Sequence, residues 1–103
     1  MRVYDIKDEQ GRVFAFEVDN TFLGRRGLRK LVQTIPGAQV VGDLRGDEFC
    51  AFKLGDVTFV AFEPFGDNSR YWVGPKPPRW VPEIEAVLNR FRRARIFCGF
   101  VAR

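Results

Sequence analysis

The chain has 103 residues, enough for one domain over 1–103 and too few for a second core. Apolar residues make up 46% and charged residues 29%, with Gly 10 and Pro 6, which excludes intrinsic disorder, collagen-like repeats and low-complexity sequence. The net charge of +4 is modest but unevenly distributed.

The chain opens with a period of two. Tyr4 and Ile6 share one side of a short strand, and Asp8-Glu9-Gln10-Gly11 makes its turn. The next run sets Phe14, Phe16 and Val18 on one face and Val13, Ala15 and Glu17 on the other. At Asn20-Thr21 the period changes. Leu28, Leu31, Val32 and Ile35 recur as one stripe of a helix, which Asn20 or Thr21 is expected to cap and Pro36-Gly37 to stop.

Strand character then returns in Gln39-Val40-Val41, followed by a polar turn from Gly42 to Asp47. Glu48 to Leu54 and Val57 to Glu63 read as a hairpin closed by Gly55-Asp56, where glycine accepts the positive φ that a tight turn requires. Pro64 to Asn68 is a loop, Ser69 to Val73 a strand, and Pro75-Lys76-Pro77-Pro78 a stiff spacer. A second helix starts near Pro82, with Ile84, Val87, Leu88 and Phe91 as its stripe. Ala94 and Cys98 extend that stripe toward a Gly99 cap, whereas Ile96 to Val101 has the residues of a terminal strand; a short extended tail is the preferred reading. The order ββαββββα predicts an α+β two-layer sandwich. Its mainly antiparallel sheet has about five to six strands, with both helices on one face.

Histidine is absent, which removes Ser/His/Asp and Cys/His catalysis and nearly all catalytic zinc sites. Cys50 and Cys98 show no CxxC spacing and sit among large apolar residues, as buried reduced thiols do. The expectation is therefore no metal, no cofactor and no enzymatic activity. No apolar run approaches the ~20 residues that span a bilayer. Asp5 interrupts the N-terminus where a signal peptide would be greasy, so a cytoplasmic location without a membrane partner is expected.

Two segments carry functional signal. Arg25, Arg26, Arg29 and Lys30 stand on the first helix with no acid nearby, and Arg92 and Arg93 crowd the end of the second. Such a layer suits phosphates, although a basic run is also what a solvated helix face looks like. The second segment runs from Glu63 to Pro75. Glu63 and Asp67 flank a turn with Asn68, and Arg70, Tyr71 and Trp72 follow, with Arg70 and Trp72 on one side of the strand and Tyr71 on the other. Arginine beside aromatic rings is the usual anchor of a protein interface. The plainer alternative pairs Arg70 with Glu63 and buries Trp72 in the core. The 11 phenylalanines point first to a larger core; the alternative is a sheet apolar on both faces, whose uncovered side seeks a partner or a second copy in a homodimer.

The leading expectation is a small binding module that docks a protein partner through Glu63, Asp67, Asn68, Arg70, Tyr71 and Trp72. An immunity- or antitoxin-like inhibitor is one form consistent with its size and architecture. The runner-up is nucleic-acid binding through Arg25, Arg26, Arg29, Lys30, Arg92 and Arg93. A histidine-free hydrolase built on Glu63 and Asp67 is the third class.

Overall fold

The structure, a computed structural model, describes residues 1–21, 23–42, 46–64, 69–97 and 100–102. Strands β1 (Val3–Lys7) and β2 (Val13–Asp19) form the first hairpin and are followed by α1 (Arg25–Gln33). Strands β3 (Gln39–Val41), β4 (Glu48–Leu54), β5 (Val57–Phe62) and β6 (Arg70–Pro75) come next. Helix α2 (Ile84–Arg93) and a short antiparallel pair, β7 (Arg95–Phe97) and β8 (Phe100–Ala102), complete the order. The large sheet has six antiparallel strands in the order β1-β2-β6-β5-β4-β3. Pairing between β2 and β6 closes the first hairpin onto the meander β3 to β6.

Both helices cover one face, which is the expected two-layer α+β arrangement. Leu28, Leu31 and Val32 of α1 and Ile84, Val87, Leu88 and Phe91 of α2 share one core with Phe16, Val18, Phe52, Phe59 and Val73 of the sheet. Phe16 meets Phe91 edge-on at 5.0 Å, and Phe52 stacks on Phe59 across β4 and β5 at 5.2 Å. No polar or charged residue is buried among the described residues, so this layer is held by apolar packing. No helix among them is long and apolar enough to cross a membrane.

Several local expectations are corrected. Asn20 does not cap α1: its N–H donates to the Ser69 carbonyl at 2.9 Å, extending the β2–β6 ladder to this residue, and the helix begins only at Arg25. The helix starts instead after Gly24, without a side-chain cap. Phe14 does not share a face with Phe16. The register runs from Ile6↔Ala15 to Lys7↔Val13 and skips Phe14, a β-bulge that rotates this ring away from the helices. A second skip passes over Phe49 between Glu48 and Cys50, which turns Phe49 into the core. At the other end of the chain, α2 stops at Arg93. In place of the expected extended tail, β7 and β8 pair with each other, Ile96 opposite Val101, while Cys98 and Gly99 lie outside the described residues.

Candidate functional site

The alternation of β6 places Tyr71 and Val73 against the core and Arg70, Trp72 and Gly74 on the face that bears no helix. On that face the register aligns Tyr4, Glu17, Trp72, Phe62 and Glu48 in one row across five strands, with Asp19 and Arg70 side by side next to it.

The centre of the row is aromatic. Trp72 packs on Phe62 with ring centroids 4.9 Å apart. Together with Phe14, Val60, Pro75 and Pro78 they line a groove of about 430 Å³, and the proline segment after β6 forms one wall. Trp72 and Phe62 are half-buried, so they offer apolar area to a partner while remaining fixed in place.

Both ends of the row are charged. At one end the Arg70 guanidinium lies 3.6 Å from the centre of the Tyr4 ring. Its Nη1 donates to Glu17 Oε1 at 3.4 Å, and its Nε stands 3.7 Å from Asp19 Oδ1. The Tyr4 hydroxyl donates to Asp19 Oδ2 at 3.1 Å and closes the network. Desolvation pulls the Arg70 pKa down, but the Glu17 hydrogen bond and the charges of Tyr4, Glu17 and Asp19 outweigh it and raise the value above the usual one. At the other end Lys76 Nζ donates to both Glu48 oxygens, at 2.7 and 3.0 Å.

The Arg70–Glu63 pair of the plainer alternative does not form. Glu63 Oε1 accepts from Arg25 Nε at 3.2 Å and Nη2 at 3.1 Å, while Arg25 Nη1 donates to the Gly46 carbonyl at 2.8 Å. The same guanidinium sits 4.8 Å over the Phe49 ring. Arg25 is the first residue of α1, where a cation opposes the helix dipole, and the Glu63 carboxylate offsets that cost. Tyr71 is 5% exposed and packs edge-on to Phe49 at 4.8 Å, which makes it a core residue rather than a companion of Arg70 and Trp72. Asp67 and Asn68 lie outside the described residues.

The basic residues divide in the same way. Arg92 Nη2 contacts both Asp5 oxygens, at 2.9 and 3.1 Å. Arg26, Arg29, Lys30 and Arg93 have no carboxylate partner among the described residues. No group of three or more His, Cys, Asp or Glu side chains able to hold a metal ion occurs among them either.

Sequence reasoning passed over Tyr4, Phe14, Glu17, Asp19, Glu48, Phe62 and Lys76, which complete the row and its groove. Only Glu17 carried a usable signal, since alternation puts it opposite Phe16. No family model, curated protein or solved structure matches the chain.

Proposed function

We propose that the protein is a non-enzymatic binding module that docks a protein partner with the helix-free face of its sheet. The observation that carries this reading is the Trp72–Phe62 groove with ion pairs at both ends. A fixed aromatic centre inside a polar rim is the anatomy of a protein-binding hot spot. Charge also favours a protein over a nucleic acid here. On this face Arg70 and Lys76 are each held by carboxylates of Glu17, Asp19 and Glu48, and a cation already paired has little left to offer a phosphate backbone. The setting we infer is the cytoplasm.

The test is affinity capture from host lysate, with and without nuclease, comparing wild type with Arg70→Ala and Trp72→Ala. Each variant is first matched to wild type by circular dichroism. Capture of a nuclease-insensitive partner that is lost in both variants supports the reading, and capture unchanged in both overturns it. Recovery of the chain alone, lost in the same variants, assigns the face to a second copy and overturns the hetero-partner reading.

A second reading, nucleic-acid binding, rests on Arg26, Arg29, Lys30 and Arg93 of the helix layer, cations without a carboxylate partner among the described residues. Arg25 and Arg92 of the original set are already held by Glu63 and Asp5. This reading predicts a gel shift whose affinity falls steeply with salt, and a flat salt response rejects it.

A further inference from the structure

A different part of the molecule carries an inference that is independent of the sheet face. Gln33 and Thr34 at the end of α1, with Arg90 and Arg93 in the last turns of α2, line a groove of about 550 Å³. We infer that this groove binds a tetrahedral oxyanion, either inorganic phosphate or the terminal phosphate of a phosphomonoester.

The argument starts from Thr34. Its hydroxyl donates to the Leu31 carbonyl at 2.6 Å and accepts from Arg90 Nε at 2.7 Å. With its proton committed to Leu31, the oxygen can only accept from the arginine, and it anchors the half-buried Arg90 guanidinium through a single nitrogen. The two Nη groups of Arg90 have no partner among the described residues. Arg93 is one turn further along the same face of α2 and likewise has none. This sets the pair apart from Arg12, Arg25, Arg70 and Arg92, each of which has a carboxylate in contact.

An oriented guanidinium, a second cation one helical turn away and the Gln33 amide make a donor set suited to oxyanions. The carbonyl ends of the two helices place about half a negative charge each near the groove. That field favours arginines in these positions and is smaller than the charge the pair brings, so a surplus remains for an anion. The ligand is a dianion held at one point rather than a strand. A phosphodiester chain would follow the row Arg26, Lys30, Gln33 along α1, whereas a terminal phosphate is matched by Arg90 and Arg93 alone.

The test is an amide-resolved NMR titration at constant ionic strength with three probes: inorganic phosphate, a nucleoside 5′-monophosphate, and an oligothymidylate without terminal phosphates. The expected result is a saturable shift confined to residues 33–34 and 90–93 with the first two probes. Arg90→Gln and Arg93→Gln should each weaken it at least about tenfold, while Arg26→Gln and Lys30→Gln change it less than about twofold. Thr34→Val retains both charges and should still weaken binding several-fold, which separates a positioned arginine from loose attraction. Because Arg93 has no hydrogen-bond or ion-pair partner among the described residues, its variant remains informative if an Arg90 or Thr34 variant fails to fold. The inference is overturned by no saturable response up to roughly 20 mM phosphate, on the scale of the weakest specific binding. Unchanged affinity in Arg93→Gln overturns it too, as does tighter oligothymidylate binding that depends equally on Arg26 and Lys30.

Discussion

Trp72 lies across Gly74. A Cβ at Gly74 would come 2.7 Å from Cη2 of the Trp72 indole and 2.7 Å from the Ala15 Cβ on the neighbouring strand. The indole can swing away, but the Ala15 Cβ is fixed to its backbone. Gly74→Ala is therefore expected to cost about 1–3 kcal/mol as an overpacking change and to lift Trp72 off its bed. Urea denaturation reads the first effect. Emission in a Trp80→Phe background reads the second, as a shift toward the spectrum of a hydrated indole. A variant with wild-type midpoint and spectrum would contradict this packing.

Arg25 joins three parts of the chain that are distant in sequence: Glu63, the Gly46 carbonyl and the Phe49 ring. Both members of the ion pair are about one-third exposed, so solvent screening keeps its contribution modest. Losing the pair, the backbone hydrogen bond and the ring cover together is expected to cost about 1–2 kcal/mol in Arg25→Ala. Arg26, one residue on, has no such partners among the described residues, and Arg26→Ala should stay within about 0.5 kcal/mol of wild type. Chemical denaturation of the two variants side by side checks the contrast. Equal stability of the two would show that Arg25 is another solvated cation.

The features legible in the sequence were those set by local period. The separation of Arg70 and Trp72 from Tyr71 follows from strand alternation alone, and the two core stripes follow from the spacing of Leu28 to Ile35 and of Ile84 to Phe91. Gly55 takes its φ of +62° where the turn was expected. What could not be read depends on register between distant strands. Arg70 meets Asp19 and Glu17 only because β2 pairs with β6, which leaves Glu63 for an arginine 38 residues earlier. The skipped residues Phe14 and Phe49 belong to the same class, since a bulge reverses the face that alternation assigns. Asn20 misled for a related reason: the β2–β6 ladder runs on to it, so the helix starts four residues later than a cap at Asn20 requires.

Asp8 organises the first turn. Its Oδ1 accepts from the backbone N–H of Gln10 and of Arg12, both at 2.9 Å, and Oδ2 accepts from Arg12 Nε at 3.2 Å. The backbone bond from Arg12 is the main reason its carboxyl is held below the usual value of 3.8; desolvation is the next largest effect and opposes it, and the Gln10 bond and the Arg12 side chain add to the lowering. A depressed folded value means that the stabilisation is present above the unfolded pKa and is lost as pH falls through the folded one. Asp8→Ala should thus be less stable than wild type at neutral pH, with Asp8→Asn between them because it retains an acceptor. The gap to Ala should narrow below pH 3.8. Thermal melts of the three proteins across this range would refute the assignment if the gap were constant.

The alkaline side is governed by buried groups of the opposite sign. Burial pushes the Cys50 thiol from 9.0 up to about 11, with the Arg29 charge countering in part. Tyr71 is raised above 10.0 by burial and by the Glu63 charge, against the pull of Arg25. For both groups the folded state favours the protonated form, so their contribution is complete below the unfolded pKa and is lost as pH rises through the folded value. Stability should therefore decline from pH 9.0 toward about 11 through Cys50, with Tyr71 adding to the slope beyond 10.0. Two variants separate the contributions. Cys50→Ala should reduce the slope of the denaturation midpoint most between pH 9 and 10, where the tyrosine contributes only in part, and Tyr71→Phe should leave most of that slope while easing the decline above it. If wild type is already flat between pH 9 and 10, the thiol is in contact with water and the packing around β4 is looser than its 1% exposure implies.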